Sequence, residues 1–410
     1  MQAKLRIALR EFVAFETALA SQIESFRAHQ PDIAFEFVPM DLESLYRELI
    51  VDRGLANGAW DIGLVVTDWL PQAIAANLLE DLTPYLSVGA IPDWPAAWPN
   101  SLVEPLNFKD HFYCVPWHDG PECLMFRRDL FESPAEQAAF RDRYGYELAP
   151  PATWREFEDI ARFFTRPGEG LYGTAFACYP DGHNTLYDFA LQIWSRGGEF
   201  HDQSGVPVLE SPQAVAALDF YRRVVRDASL CHPRSLHADS VESGELFLAG
   251  SVAMMVNWFG FAARSSSSGA PLQGRVQVAP IPCDESIRPV SLSAFWSYAI
   301  GSGSRAKPAA WEFLRFLARP EMDMVVTHHG AVGVRLSTWR DSAVQRSAPV
   351  YQPLEAISAG ARRLPATPQL AEFAQLVNRV IETSLRTNES SSSILQRAQR
   401  EAIEGQIRFL

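Results

Sequence analysis

The first 115 residues alternate short apolar runs with amphipathic stretches, and this alternation constrains the fold more than any other feature. The runs Leu5–Leu9, Ile33–Val38 and Ile62–Val66 have the length and composition of strands buried on both faces. The amphipathic stretches Phe12–His29 and Asp41–Asn57 lie between them and predict helices. This order of strand, helix, strand, helix, strand predicts a mostly parallel, doubly wound α/β sheet.

The residues that follow the first and third strands are candidate ligand contacts. In open α/β sheets, ligands bind beyond the carboxyl ends of the strands. Glu11 and Phe12 follow the first strand, and Asp68 and Trp69 follow the third. We expect Trp69 to be exposed on a polar turn, although a packing role is the alternative. A carboxylate beside an indole suits a polyhydroxyl ligand, because the carboxylate accepts hydroxyl hydrogen bonds and the indole stacks on the apolar ring face.

Composition narrows the class of protein. The chain has 410 residues, 47% of them hydrophobic and 21% charged, which is typical of a globular protein with two or three domains. A formal net charge of −13 argues against nucleic acid as a partner, because phosphate binding requires a basic face. No apolar stretch approaches the roughly 20 residues that span a bilayer.

The cysteine spacing and the search for catalytic motifs indicate no metal site and no catalytic site. Cys114 and Cys123 are close enough in sequence to form one disulfide, while the other three cysteines are scattered. We find no zinc-ligand spacing, phosphate loop or GxSxG motif, so we expect no cofactor and no metal. The opening residues lack a signal peptide, so we expect either a cytoplasmic chain or one whose leader was removed.

Six segments, in this order along the chain, carry a resemblance to a known family: residues 58–86, 112–132, 244–264, 293–321, 330–341 and 361–373. Examples are FYCVPWHDGPECLMFRRDLFE and GELFLAGSVAMMVNWFGFAAR. Together they resemble the family 1 extracellular solute-binding proteins of ABC importers, the maltose-binding-like group for carbohydrate uptake. One departure is that this chain has Leu124-Met125-Phe126-Arg127 where the family often has Leu-Tyr-Tyr-Asn.

The resemblance implies two doubly wound α/β lobes with a ligand cleft between them and three inter-lobe crossings, the type II periplasmic binding protein architecture. The expected N-terminal lobe comprises residues 1–115 and 263–301, and the expected C-terminal lobe comprises residues 116–262 and 302–410. Closure around the ligand would be a hinge motion, which needs only a few backbone positions to change.

The resemblance also adds candidate ligand contacts, which lie near the crossings or in a C-terminal loop: Trp117, His118, Asp119, Trp258, Trp296 and Arg335. The alternatives are a plain turn at Asp119-Gly120, a hinge-packing role for Trp258 and a surface salt bridge for Arg335. An arginine in that loop could also bind vicinal hydroxyls or a carboxylate.

The function implied is that of a non-catalytic, monomeric binding protein. It would capture a sugar, oligosaccharide or polyol and deliver it to ABC permease subunits in the membrane, and it would be periplasmic or extracellular if a leader was removed. One alternative is a carbohydrate-active enzyme that uses Asp68 and Asp119 as paired carboxylates. Another is a leaderless ligand sensor.

Overall fold

A computed structural model describes residues 3–87 and 91–410 of the chain. Within these residues the strands are β1 Ala3–Arg10, β2 Ile33–Met40, β3 Ile62–Val66, β4 Asn107–Phe108, β5 His111–Phe112, β6 Cys114–His118, β7 Glu122–Arg127, β8 Met254–Trp258, β9 Val276–Ala279, β10 Ser291–Leu292, β11 Trp296–Ile300 and β12 Ala361–Arg362. The helices are α1 Val13–Arg27, α2 Leu42–Tyr46, α3 Gly54–Asn57, α4 Leu70–Ala75, α5 Thr83–Leu86, α6 Asn100–Val103, α7 Arg128–Phe131, α8 Pro134–Tyr144, α9 Trp154–Phe164, α10 Asn184–Trp194, α11 Pro212–Arg226, α12 Ser240–Leu248, α13 Phe259–Ser265, α14 Lys307–Leu317, α15 Pro320–His328, α16 Leu336–Trp339, α17 Ser342–Ser347, α18 Leu354–Ala359, α19 Leu370–Arg386 and α20 Ser391–Glu404.

The chain divides into two compact units. The first comprises Met1–Gly120 and Ser293–Ala359, and the second comprises Pro121–Leu292 and Gly360–Leu410. The chain therefore passes from one unit to the other three times.

This division differs from the expected boundaries on two segments. Residues 263–292 belong to the second unit, because β9 pairs with β7 of that unit's sheet. Residues 302–359 belong to the first unit, because α14 packs on β1 and β11 and α15 packs on α1. Apart from the contact of α14 with β11, these pairings join residues more than 100 positions apart, so they leave no local trace in the sequence.

The first unit is built on a five-stranded sheet with the order β2-β1-β3-β11-β6. β1 is parallel to β2 and β3, whereas β11 is antiparallel to both β3 and β6. All five residues of β3 are buried, as expected for a strand covered on both faces. The apolar face of α1 is also buried, including the predicted positions Phe15, Leu19, Ile23 and Phe26.

The second unit has a three-stranded antiparallel sheet with the order β8-β7-β9 and a short parallel pair, β10-β12. Every residue of α10 is buried, and this helix packs on α11, α19 and β10. An α-helix that is buried all round is apolar on every face, which fits the sequence LYDFALQIW with two exceptions, Asp188 and Gln192.

One predicted element is wrong, and one segment of the second unit is irregular. The irregular segment, residues 172–179, makes only isolated bridges, Tyr172 with Val252 and Thr174 with Cys231. The helix expected over Asp41–Asn57 is interrupted by a π-helical turn at Arg47–Val51 and by Arg53, whose φ of 56° is incompatible with a continuing right-handed helix.

The five cysteines are all free and buried. The proposed Cys114–Cys123 disulfide is therefore not formed. Cys114 lies on β6 in the first unit's sheet and Cys123 lies on β7 in the second unit's sheet, so their closeness in sequence does not make them sheet neighbours.

We expect Gly173→Ala to destabilise the second unit. A Cβ at Gly173 would lie 2.0 Å from the backbone oxygen of Ala161 on α9, and backbone cannot yield as a flexible side chain can. Overpacking of this kind costs roughly 1–3 kcal/mol. Chemical denaturation of the variant should show this loss of unfolding free energy. Gly168→Ala, where a Cβ meets nothing within 4 Å, is the control and should stay near the parent.

Candidate functional site

Most of the predicted contact residues lie at one edge of the first unit's sheet. The carboxyl ends of β1, β3 and β6 meet the amino end of the antiparallel β11 at this edge. The register places Trp296, the first residue of β11, opposite Val66 at the end of β3 and His118 at the end of β6. The segments that leave this edge carry Glu11 and Phe12, Asp68 and Trp69, and Asp119.

Aromatic rings cover this edge, and we refer to them as the edge cluster: Phe12, Phe15, Tyr46, Trp69, Trp117, His118 and Trp296. Phe15 lies at its centre, with its ring centroid 4.7 Å from that of His118 and 6.2 Å from that of Trp296. Trp296 in turn stands edge-to-face on Trp69 at 5.8 Å. Edge-to-face aromatic pairs are each worth about 0.5–1.5 kcal/mol beyond their burial, so the rings fix one another's positions.

Burial separates the cluster into a supporting layer and a partly exposed layer. Phe15, Trp69 and Trp117 are buried, whereas Trp296 and Phe12 keep part of their surface exposed. The expectation that Trp69 is exposed on a turn is therefore wrong: only 2% of it is accessible, because its ring packs against those of neighbouring aromatic residues.

Trp117 belongs to the supporting layer for the same reason. Its indole Nε1 donates to Gln22 Oε1 at 3.1 Å, and its ring packs on Tyr298 with centroids 5.2 Å apart. Buried indoles usually satisfy their N–H in this way. The indole Nε1–H of Trp117 thus already has a hydrogen-bond partner within the first unit.

His118 is held in one tautomer. Its Nδ1 accepts a hydrogen bond of 2.9 Å from the backbone N–H of Val332, so the ring proton lies on Nε2. Burial lowers the pKa of His118 to about 3. The imidazole is therefore neutral at physiological pH and offers a hydrogen-bond donor at Nε2.

Val332 also holds Asp119, because the backbone N–H of Asp119 donates to the carbonyl oxygen of Val332 at 3.2 Å. Its carboxyl Oδ1 accepts from Ser293 Oγ at 3.2 Å. Its other oxygen, Oδ2, is buried and has no hydrogen-bond partner among the described residues. Burial raises the pKa of Asp119 to about 7, against the opposing hydrogen bonds from Ser293 and the backbone of Gly120.

Arg335 does not join the edge cluster. Its guanidinium lies over the ring of Trp98 at 4.4 Å, and Nη1 donates to the carbonyl oxygen of Ala318 at 2.7 Å. Only 2% of the residue is accessible. The structure thus places Arg335 in the interior of the first unit rather than on a ligand-facing loop.

A buried carboxylate holds the loop that contains Val332. Asp323 Oδ1 accepts the backbone N–H of Val334 at 2.7 Å, and Oδ2 accepts that of Arg335 at 3.1 Å and the hydroxyl of Thr338. These bonds fix the backbone that in turn contacts His118 and Asp119. Arg335 and Asp323 therefore act as positioning residues for the loop.

The remaining two predictions at this edge, Asp68 and Glu11, differ in burial. Asp68 is half-buried in the 3₁₀ turn Thr67–Trp69 that directly follows β3. Glu11 is exposed, and its backbone N–H donates to Met40 at 2.6 Å, which extends the pairing of β1 with β2.

Trp258 belongs to the second unit, where it ends β8 and is partly exposed. Its ring stands nearly perpendicular to that of Tyr187, with centroids 5.4 Å apart. Its backbone N–H donates to Asn257 Oδ1 at 2.7 Å, and Asn257 is itself held by the carbonyl of Ser240.

Sequence reasoning missed two buried acids in this unit, Glu122 and Asp188. Burial and the negative charge of Asp188 raise the pKa of Glu122, and burial raises the pKa of Asp188. The signal was present in both cases: each is a lone carboxyl inside an apolar run, PECLMF and LYDFALQIW. Phe15 and Tyr46 of the edge cluster were also missed as site residues.

Residues 3–87 and 91–410 contain neither a metal-ligand cluster nor a membrane-spanning helix. No group of three or more histidine, cysteine, aspartate or glutamate side chains there could hold a metal ion. No helix within the same residues is long and apolar enough to cross a membrane.

The lowered pKa of His118 predicts an acid-dependent loss of stability. Below about pH 6.5, His118 binds a proton in the unfolded chain but stays neutral in the folded protein. The free energy of unfolding therefore falls as pH drops from about 6.5 towards 3. We expect His118→Gln to lose less stability than the parent between pH 7 and pH 5, measured as the urea midpoint. His237→Gln, an exposed control, should follow the parent. Parallel curves for His118→Gln and the parent would contradict the buried, neutral state.

Sequence comparison identifies relatives over most of the chain. The sequence model of the family described as bacterial extracellular solute-binding protein matches residues 9–324. A probable ABC transporter-binding protein of Deinococcus radiodurans is 23% identical over 348 residues, which are 83% of this chain and 78% of that protein. The mannitol-binding protein of Pseudomonas aeruginosa is 21% identical over 398 residues, which are 91% of this chain and 86% of that protein.

Structural comparison agrees on the fold. The maltose-bound structure of T. maritima MalE3 superposes with a TM-score of 0.83 at 23% identity and covers 98% of this chain and 99% of that chain. The fold is therefore that of the type II periplasmic binding proteins, as the family resemblance implied. With the family match extending from β1 to α15, the chain belongs to the bacterial extracellular solute-binding proteins.

Proposed function

We propose that this protein captures a neutral sugar, oligosaccharide or polyol and delivers it to an ABC permease. Family membership supports a binding role, and one relative is named for binding to mannitol while one similar structure holds maltose. Both of those ligands are uncharged and rich in hydroxyl groups. The edge cluster and the polar groups beside it suit such a ligand.

The observation that carries this proposal is the juxtaposition of Trp296 with His118 and Asp119. Trp296 pairs directly with His118 across the β11–β6 ladder, and Asp119 is the next residue. A partly exposed indole offers an apolar face for the C–H groups of a sugar or polyol. The Nε2–H of His118 and the unpartnered Oδ2 of Asp119 offer a donor and an acceptor for its hydroxyls.

Binding residues and supporting residues can be distinguished by burial and, for Trp117 and Arg335, by the partners that their polar atoms contact. We propose ligand contacts by Phe12, Asp68, His118, Asp119 and Trp296 on the first unit and, separately, by Trp258 on the second. Trp69 and Trp117 support the edge cluster from beneath, and Arg335 positions the Val332 loop. Glu11 is exposed at the rim of the same edge, and ligand contact by Glu11 stays a prediction.

The enzyme alternative is not retained. The family consists of solute-binding proteins, so the carboxyls of Asp68 and Asp119 are assigned to hydrogen bonding with ligand rather than to an acid and base pair. We also propose that the protein acts as a monomer outside the cytoplasmic membrane and without a nucleic-acid partner, which suits its net charge of −13. Light scattering of the purified protein tests the monomer.

A thermal-shift screen tests the proposed ligand class. The probes are D-mannitol, ribitol and maltose as neutral polyols and sugars, with D-gluconate and L-arginine as charged comparisons. A ligand present at 100 times its Kd stabilises the folded state by about 2.7 kcal/mol, which a melting curve resolves. We expect a neutral probe to raise the melting temperature. A rise with only the charged probes would contradict the proposal.

For the probe that binds, we expect Trp296→Ala and Trp258→Ala each to raise Kd at least about tenfold, since a lost stacking partner and its burial exceed roughly 1.4 kcal/mol. Titration calorimetry measures this change. Both variants should remain folded, because neither indole is fully buried.

Trp311→Ala is the matched control. Trp311 is 5% exposed on α14, and its ring packs on Tyr85 with centroids 5.1 Å apart. We expect a lower melting temperature from the cavity, with a cost of roughly 3–5 kcal/mol, and an unchanged Kd for the folded fraction. Unchanged ligand affinity in Trp296→Ala and Trp258→Ala would remove these two residues from the site.

A further inference from the structure

A buried carboxyl on β7 of the second unit has an oxygen without a partner. Glu122 is 4% exposed, and its Oε2 has no hydrogen bond within the part of the chain that the structure describes. In the antiparallel ladder it lies directly opposite Trp258. Directly opposed residues of such a ladder project from the same face with Cβ atoms roughly 4.5–5.5 Å apart, so the carboxyl lies beside the indole.

A second carboxyl lies close to the first. Asp188 is 8% exposed on α10, and its Oδ2 accepts from the hydroxyl of Tyr221 at 3.2 Å. The preceding residue of that helix, Tyr187, is the one whose ring stands against Trp258. The charge of Asp188 acts directly on Glu122 and raises the pKa of Glu122.

No cation compensates this pair among the described residues. Neither acid takes part in an ion pair, and the charges that act on them come from other acids, Asp188 on Glu122 and Asp181 on Asp188. The neighbouring strands add no charge, since β9 reads VQVA and β10 reads SL. Burial raises the pKa values of Cys123, Cys178 and Tyr221 nearby, which keeps these groups uncharged at pH 7. His183 Nδ1 is hydrogen-bonded to the hydroxyl of Tyr187.

Two buried carboxylates without a cation cannot both be ionised at a low cost. Like charges in a buried site raise the pKa of one member strongly, and an isolated buried ion costs several kcal/mol. Retention of one proton removes most of this cost. The pair then offers one hydroxyl donor and several acceptor lone pairs, which is the complement of an alcohol group.

We propose that Glu122 and Asp188 form a proton-sharing carboxyl pair that binds a hydroxyl of the ligand beside Trp258 and disfavours anionic solutes. This inference rests on the proposed function and assigns the discrimination against anionic solutes to this pair. Sugar acids and sugar phosphates would meet a negative, cation-free site there. Arg335, the one predicted contact that would have suited an anion, is already committed to Trp98 and Ala318.

The first test needs no ligand. The raised pKa values mean that the folded pair holds a proton that the unfolded chain releases, so the parent loses stability as pH rises from about 4.3 through the pair's own titration. Glu122→Gln removes this dependence. We expect the melting temperature of Glu122→Gln minus that of the parent to increase steadily between pH 4.5 and 8.5.

Glu210→Gln, an exposed glutamate of the same unit, is the matched control and should show a constant difference. If Glu122→Gln does not fold, the carboxyl ¹³C signals of the parent report the same proton. A Glu122 signal that titrates at an ordinary value near 4.3, or a constant difference in melting temperature for Glu122→Gln, overturns the pair.

The second test uses D-mannitol and maltose against D-gluconate and mannitol 1-phosphate. We expect the anionic probes to bind at least about a hundredfold more weakly than the neutral probe of similar size. The ratio of parent to Glu122→Gln affinity for the neutral probe should fall about tenfold per pH unit above the pair's titration, because the amide keeps its donor at every pH. This ratio isolates the pair from Asp119, which is present in both proteins.

The outcomes separate the two proposals. If no probe of either class binds, the proposed function fails, and the melting-temperature series still decides whether the pair shares a proton. If an anionic probe binds more tightly than the neutral one, the inference is overturned while a solute-binding function stands. Neutral binding with an affinity ratio that does not change with pH also overturns the inference.

Discussion

The segment Ser293–Trp296 ties together the ends of two strands that would otherwise be unconnected at the site edge. Phe295 exchanges backbone and side-chain hydrogen bonds with Thr67 after β3, and Ser293 donates to Asp119 after β6. β11 then runs antiparallel between the two strands. The positions of Trp296, His118 and Asp119 relative to one another follow from this single insertion, since all of them lie within two residues of the ladder's end.

Two buried carboxyls, one in the first unit and one in the second, reduce the stability of the fold. Asp119 and Glu122 each bury a carboxyl oxygen that no described residue satisfies, and a buried polar atom without a partner costs roughly 1–3 kcal/mol. A protein selected for stability alone would pair these oxygens or replace the acids with apolar side chains. Around Asp119, by contrast, Asp323 and Val332 are fully engaged. Tyr298 and Arg335 of the same unit also bury a polar atom without a partner in the described part of the chain, so an unsatisfied atom does not by itself mark a site. For the oxygens of Asp119 and Glu122, the partner that the proposed function assigns is a hydroxyl of the ligand.

The sequence predicted the elements whose periodicity is local and failed where distant segments meet. β1 to β3 and the buried face of α1 follow from apolar spacing alone. Trp69 was assigned to the surface because its neighbours in sequence are polar, but its neighbours in space are Tyr46 and Trp296. Arg335 was misplaced for the same reason, because Trp98 and Ala318 are far away along the chain. The unit boundaries depend on pairings such as β7 with β9. These two strands lie some 150 residues apart, so no local sequence pattern indicates their pairing.

β11 lies far behind its sheet partners β3 and β6 in the sequence, which has a consequence for folding during translation. β6 ends at His118, whereas its sheet partner begins at Trp296, so 178 residues (296 − 118) separate them on the ribosome. At about 5–20 residues per second, this interval lasts on the order of 10–35 s. During that time β3 and β6 both lack the neighbour that joins them, and unpaired apolar strand edges favour intermolecular pairing. The sheet of the nascent first unit is thus incomplete until residue 300 has emerged, and its unpaired strand edges can meet other chains during that time.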